Sequence, residues 1–218
     1  MDVKFTRKAL VKDMNEQQSI AGIVLAGGGS RRFGAPKQLF EYQGEPLVLR
    51  AARAGLEHCK AGLVVVTGAE QAGVETVLAA DLTITTVHNA DWREGMAASI
   101  RCGVGASDAH ADALLIMLCD QPRVGAAELG RLVAAWCAAP DSIALAAYAA
   151  TRGVPAIFPA RYRQQLLALH GDTGARALFD AADELTLVDM PAAAFDVDTP
   201  ADALRLADRY EDDALQDE

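Results

Sequence analysis

Seven short apolar runs, separated by longer stretches of helical character, constrain this chain more than any other feature. The runs are Ile20–Ala26, Gly62–Thr67, Thr83–His88, Ala113–Cys119, Ile143–Ala147, Ala156–Phe158 and Leu185–Val188. Strand-length runs alternating with helical stretches predict a mostly parallel sheet covered by helices on both faces, an α/β fold. Ala113–Cys119 is apolar without interruption, which predicts a central strand buried on both sides. A helix is expected over Pro46–His58, with Pro46 at the first helical position and Leu47, Leu49, Ala54 and Leu56 on its apolar side. Further helices are expected over Gly95–Ser107, Ala126–Ala138, Ala160–Leu169, Thr173–Ala181 and Pro200–Tyr210.

A length of 218 residues with 51% hydrophobic side chains suits one such domain and excludes a mostly disordered chain. Residues 1–18 read as a polar extension, 19–207 as the domain and 208–218 as an acidic tail. The extension carries Lys4, Arg7, Lys8 and Lys12 but no apolar segment of a secretory signal. The longest apolar runs fall far short of the ~20 residues of a membrane helix. Cys59, Cys102, Cys119 and Cys137 form no CxxC pair and have no His at zinc-binding spacing; three of them lie in apolar or helical stretches and read as small hydrophobes, in a reducing compartment. A cytoplasmic protein without a membrane partner is the expectation. Lys and Arg total 20 against 30 Asp and Glu, a net charge of −10, which excludes a non-specific nucleic-acid binder. Any anionic ligand then needs a local basic site.

Such a site follows the first apolar run, in Leu25-Ala26-Gly27-Gly28-Gly29-Ser30-Arg31-Arg32-Phe33-Gly34-Ala35-Pro36-Lys37. Glycines there let the backbone approach a ligand and aim successive N–H groups at an anion. A bare glycine triplet would be no more than a tight strand-to-helix turn. Arg31, Arg32 and Lys37, clustered in an acidic chain, point instead to a polyphosphate cradle. Ala35 and Pro36 stand where a Walker A loop has Lys and Ser/Thr, and Arg32 excludes both a dinucleotide fingerprint and a nucleophile elbow.

Acidic residues supply the second element. Asp120 follows the central run at the strand's carboxyl end, where ligands of open α/β sheets gather; it reads equally as a Mg²⁺ ligand or as a turn or cap carboxylate before Pro122. Asp196 and Asp198 share one face of an extended segment, and Asp198 precedes Thr199-Pro200, where it would also serve as a helix cap. Ser99 reads as a nucleotide contact or a buried helix hydroxyl. Trp92 reads first as core and second as a pocket wall. The scattered histidines read as structural or merely solvent-exposed, although His88 could line the pocket.

Leu25–Lys37 resembles the LAxGxSxRxGxxK signature of the sugar-nucleotide-type nucleotidyltransferases, in the branch that makes molybdopterin dinucleotides. Further blocks follow in that branch's order: Asn89–Met96 with Ser99-Ile100-Arg101, Cys119-Asp120-Gln121-Pro122, Gly153–Phe158, Gly171–Arg176 and Asp196–Pro200. Together they span Ile20 to about Leu206, and the chain is most similar to the molybdenum cofactor cytidylyltransferase family, a MobA-like nucleotidyltransferase domain. The resemblance implies a single Rossmann-like domain that transfers CMP from CTP to molybdopterin cofactor with Mg²⁺, releases pyrophosphate, and passes its product to a molybdoenzyme. It implies catalytic roles for Arg32, Lys37 and Asp120. Leu25, Ala26, Gly27, Gly28, Gly29, Ser30, Arg32, Lys37 and Ser99 would bind the nucleotide. Asp120 and Asp198 would hold the metal, with Asp196 a weaker partner, and Gly153, Pro155, Asp172 and Arg176 would face the acceptor. Arg31 falls at a variable position of the signature and is expected as a solvated charge.

Two departures mark this chain. Gly153-Val154-Pro155 stands where the family commonly carries Gly-His-Pro. Ala26-Gly27-Gly28 replaces the Ala-Ala-Gly usual for cytidylyl members and leans toward the guanylyl branch, whereas Pro36-Lys37 leans toward the cytidylyl side. A guanylyl homologue and a 4-diphosphocytidyl-2-C-methyl-erythritol synthase-like cytidylyltransferase are the neighbouring alternatives. Gly153–Phe158 and Gly171–Arg176 fit the second poorly. A non-catalytic nucleotide- or cofactor-binding domain is the alternative of a different class, and the joint presence of Lys37, Asp120 and Asp198 argues against it.

Overall fold

A computed structural model describes residues 18–79, 83–172 and 174–206. The polar extension (apart from Gln18), the acidic tail, Thr173 and the end of the helix expected over Pro200–Tyr210 lie outside the described residues. In chain order the strands are β1 (Ile20–Leu25), β2 (Glu41–Tyr42), β3 (Glu45–Pro46), β4 (Leu63–Thr67), β5 (Ile84–His88), β6 (Ala113–Leu118), β7 (Ile143–Tyr148), β8 (Thr151–Pro159) and β9 (Leu185–Asp189). The helices are α1 (Leu47–Leu56), α2 (Gln71–Leu78), α3 (Met96–Ala106), α4 (Ala126–Ala138), α5 (Arg163–Leu167) and α6 (Arg176–Ala181). Residues 200–206 form α7 as far as it is described.

Seven strands make one sheet in the order β5-β4-β1-β6-β8-β7-β9, and β2 and β3 form a separate small hairpin. Only β8 runs against its neighbours; the other pairings in the large sheet are parallel. β1 and β6 lie at the centre, in register from Ile20 opposite Ala113 to Leu25 opposite Leu118. Their uninterrupted apolarity follows from that position, because alternate side chains enter cores on opposite faces. Val24, Leu115 and Met117 pack with α1, α2 and α4, whereas Ile23, Leu114 and Ile116 pack with α3 and α5.

A third, smaller cluster positions the functional site. Leu47, Val197, Ala203 and Leu206 are buried together, with Phe33, Phe40, Tyr42 and Phe195 packed around them. Phe33 meets Phe40 edge-on at 5.6 Å, and the Arg123 guanidinium lies over the Phe195 ring at 4.1 Å. Burying Val197 alone contributes about 1.5–3 kcal/mol. This cluster clamps the segment carrying Lys37 against the segment carrying Asp198.

Differences from expectation are local. Pro46 pairs in β3 and immediately precedes α1 rather than beginning it. α2 and the β2–β3 hairpin were not expected, and β8 starts at Thr151 rather than Ala156. All four cysteines are free thiols, and burial pushes the Cys59 thiol up to about 12. Among the described residues no helix is long and apolar enough to cross a membrane.

Candidate active site

β1 and β6 end side by side, and a cleft of about 620 Å³ opens at their carboxyl ends. The glycine loop forms one wall, and Trp92–Met96 with Ser99 another. Asp120, Asp172, Asp196 and Asp198 also line it, as do Arg31, Arg32 and Lys37.

The loop owes its shape to Gln38, a side chain to which the sequence assigned no role. It is 1% exposed. Its Nε2 donates to the carbonyls of Ala26 (3.0 Å) and Gly28 (2.6 Å), and its Oε1 accepts the Ser30 hydroxyl at 3.2 Å. Ser30, held at φ 48°, accepts the Lys37 N–H at 3.1 Å. Ser30 is therefore a brace inside the loop and does not line the cleft. With those carbonyls engaged, the exposed amides of Gly28 and Gly29 have no protein acceptor among the described residues, as an anion-binding loop requires. Behind the loop, the backbone at Gly68 packs so closely on Gly27 that a Cβ there would collide with the Gly27 carbonyl.

Four charged groups from three distant segments meet beside this loop. Lys37 Nζ lies 2.5 Å from Asp120 Oδ2 and 2.9 Å from Asp198 Oδ1. Arg32 Nη2 lies 2.7 Å from the other oxygen of Asp198. The two carboxylates thus converge on one cation, here the lysine ammonium. Burial works to lower the Lys37 pKa, but Asp120 and Asp198 outweigh it and hold the ammonium well above the usual lysine range. At Asp196, which also lines the cleft, desolvation and then the charge of Asp120 push the carboxyl up to about 6.

Neither Asp120 nor Asp198 caps a helix with its carboxylate. The first turn of α7 is closed instead by Thr199 and Asp202. Asp202 Oδ2 accepts the Thr199 N–H and hydroxyl, both at 2.7 Å, while Thr199 Oγ1 accepts the Asp202 N–H at 3.3 Å. These reciprocal bonds make a capping box, and the Thr199 hydroxyl leads the contacts that hold the Asp202 carboxyl down at about 2. Asp198 is left to face Lys37 and Arg32.

Other site residues fall into three groups. Ser99 lines the cleft and accepts the Asn89 amide at 3.1 Å, which leaves its own proton for a ligand. Trp92 corrects the core reading: it is a partly exposed cleft wall, its ring so near Gly29 that a Cβ there would lie 2.9 Å away. Arg93 stacks over it at 4.2 Å, and Arg31, expected only as a solvated charge, reaches the cleft rim. Asp172 lines the cleft while its Oδ1 accepts the Met96 N–H at 3.2 Å, capping α3 from a distant loop. Gly95, at φ 111°, passes so close to Asp172 that only glycine fits there. Gly153 and Pro155 lie in β8 outside the cleft lining, as does Arg176 on the exposed face of α6. His88 points elsewhere, with Nδ1 at 3.4 Å from Thr67 Oγ1.

A hard divalent cation fits this donor set. Asp120 and Asp198 offer carboxylate oxygens, and Asp120 Oδ1 is buried with no hydrogen-bond partner. Among the described residues no group of three or more His, Cys, Asp or Glu is placed to hold a metal. The remaining ligands would have to come from phosphate and water, which is how Mg²⁺ is usually held.

Residues 22–191 match the model of the MobA-like NTP transferase domain. The chain belongs to that family. Among curated relatives of this MobA-like transferase, nicotine blue oxidoreductase of Paenarthrobacter nicotinovorans is 32% identical over 77% of this chain and 89% of that protein. A probable molybdenum cofactor guanylyltransferase of Synechococcus elongatus is 30% identical over 51% of this chain and 55% of that protein. Among solved structures, Rv0371c of Mycobacterium tuberculosis H37Rv superimposes with a TM-score of 0.75 at 30% identity, covering 87% of this chain and 97% of that one. The same mycobacterial protein in complex with manganese superimposes with a TM-score of 0.69 at 28% identity, covering 87% and 98%. The MobA-like transferase is thus a nucleotidyltransferase by family.

Proposed function

We propose that the protein transfers CMP from CTP to the phosphate of molybdopterin cofactor, with Mg²⁺, in the cytoplasm, and that a molybdoenzyme receives the product. The observation that carries this reading is the convergence of Arg32, Lys37, Asp120 and Asp198 beside exposed loop amides. An oxygen of the acceptor phosphate attacks the α-phosphorus. The bond from that phosphorus to the bridging oxygen breaks, and pyrophosphate leaves with the electron pair. The acceptor is already anionic, so no base has to remove a proton, and catalysis rests on positioning and charge neutralisation.

Arg32, Lys37 and the amides of Gly28 and Gly29 would hold the triphosphate, each charge-assisted contact contributing about 1.5–3 kcal/mol. Asp120 and Asp198 would hold Mg²⁺, whose charge, when bound, offsets the repulsion between acceptor and triphosphate. Pro36-Lys37 and the Ser99 hydroxyl support the pyrimidine nucleotide. One feature favours GTP instead: Gly27 leaves bare backbone beside Ser99, where a Cβ would come 3.2 Å from the hydroxyl. Pyrophosphate release measured with each nucleoside triphosphate, with and without molybdopterin cofactor, tests the reading. Turnover with CTP only when the cofactor is present is expected. Preference for GTP would move the protein to the guanylyl branch, and binding without turnover would make it a non-catalytic domain.

A further inference from the structure

Asp120, Asp196 and Asp198 are among the carboxylates that line one cleft in a chain of net charge −10. The ammonium of Lys37 fills the space between two of them, and its side chain is only 14% exposed. The Lys37 backbone is fixed: its N–H is bound to Ser30, and it opens the 3₁₀ turn Lys37–Leu39, whose next residue is the buried Gln38. Any rearrangement here must therefore be a swing of the lysine side chain, whose flexible stem suits it to that. Asp120 meets the ammonium through one oxygen and leaves the other buried without a partner.

We infer that Lys37 is a resident counter-ion, holding between Asp120 and Asp198 the place a divalent cation takes for reaction, so that metal and triphosphate enter together. The inference rests on the metal-dependent reading above. A divalent cation arriving while the ammonium stays would set two positive charges side by side. Departure of the ammonium without replacement would leave Asp120, whose side chain is 15% exposed, without its counter-ion and facing Asp198, which keeps only Arg32. A triphosphate removes both obstacles, because it offers Lys37 new anionic partners and brings ligand oxygens for the metal. Metal alone should then bind weakly, and nucleotide should strengthen it markedly.

The test is Mn²⁺ binding to the full chain, followed by the electron paramagnetic resonance signal of free Mn²⁺. It is run alone and with the α,β-methylene analogues of CTP and GTP. Wild type should gain at least tenfold in Mn²⁺ affinity from one analogue. Lys37→Met should bind Mn²⁺ alone at least tenfold tighter than wild type and lose most of the nucleotide's enhancement. Lys37→Arg, which keeps the charge, should remain as weak as wild type. Equal affinity of wild type and Lys37→Met for Mn²⁺ alone overturns the counter-ion role and leaves the nucleotidyl-transfer reading standing. No Mn²⁺ binding by wild type with either analogue overturns that reading and the inference with it. Thermal unfolding guards against a destabilised variant: Mn²⁺ should raise the midpoint of Lys37→Met by several degrees more than that of wild type, and equal shifts count against the inference.

Discussion

On the glycine-loop wall of the cleft, one buried side chain, Gln38, engages two backbone carbonyls and the Ser30 hydroxyl, and Ser30 in turn holds the Lys37 amide. The wall carrying Asp120, Asp196 and Asp198 rests on less fully satisfied groups. Gln121 donates to the carbonyls of Ala193 (3.0 Å) and Val154 (3.4 Å), but its Oε1 is buried without a partner. Desolvation and then Asp120 push the Asp196 carboxyl up to about 6, and the β7–β8 hairpin that Gln121 joins through Val154 turns through two alanines at positive φ. A contiguous braced loop facing a wall gathered from distant segments makes the first the more rigid of the two. The two walls meet at the Lys37–Asp120–Asp198 contacts.

Breaking that junction should have the largest effect. Asp120→Asn and Asp198→Asn should each lower pyrophosphate release by about a hundredfold or more, the size expected for losing preorganised charge at a transferring phosphoryl group. Far-UV circular dichroism should stay native, because neither carboxylate caps a helix. Near-normal turnover in both variants would reduce the junction to a structural ion pair. The next largest effect tests the asymmetry itself. Gln38→Leu leaves buried polar groups unpaired and should cost about 1–3 kcal/mol of stability, with a severalfold rise in the triphosphate KM. Gln121→Leu should leave that KM unchanged; an equal rise from both variants would erase the distinction between the walls.

The braced wall was also the legible one. Strand, glycines and cations lie within Leu25–Lys37, so composition and order announced an anion site without any tertiary information. Asp120 was legible because it follows an uninterrupted apolar run. The contact of Asp198 with Lys37 depends on the small cluster around Val197, whose members Phe33, Phe40 and Phe195 look like isolated aromatics in the sequence. The side-chain brace of Gln38 has no sequence signature, since a glutamine after a basic residue ordinarily reads as surface. α2 escaped because Gly73 interrupts it and only Val74 and Leu78 are buried, too narrow an apolar face to register. β8 was shortened in the reading because Arg152 and Gly153, paired opposite Ala147 and Ala146, show no apolar alternation.

A smaller effect should appear in the pH dependence of stability. Asp196 titrates near 3.8 when ordinary and at about 6 here. A raised carboxyl keeps its proton longer in the folded state, so folding weakens as pH rises through this interval and the cost is complete above it. Asp196→Asn removes the cost. Urea titrations should show a stability gain of about 1 kcal/mol at pH 7.5 that falls to less than half of that at pH 4, the full shift being discounted for an exposed side chain. A gain of one size at both pH values would show that the looser wall owes nothing to this charge.

The smallest expected effect lies farthest from the chemistry and asks whether the β7–β8 hairpin, outside the cleft lining, holds local strain. Tyr148 pairs directly with Thr151, so Ala149 and Ala150 form a two-residue hairpin turn. Both are exposed, at φ 46° and 57°. Two consecutive positive φ angles mark the turn geometry that favours Asn-Gly, because a β-carbon crowds the following carbonyl in this region. Replacing the pair by Asn-Gly removes no packed side chain, so the gain should be the relieved backbone cost offset by the greater freedom of glycine in the unfolded chain. That leaves about 0.5–1 kcal/mol, seen as a higher urea midpoint at unchanged slope. An unchanged midpoint would mean that β7 and β8 impose the turn without cost, and the second wall would then differ from the first in its unpaired polar groups alone.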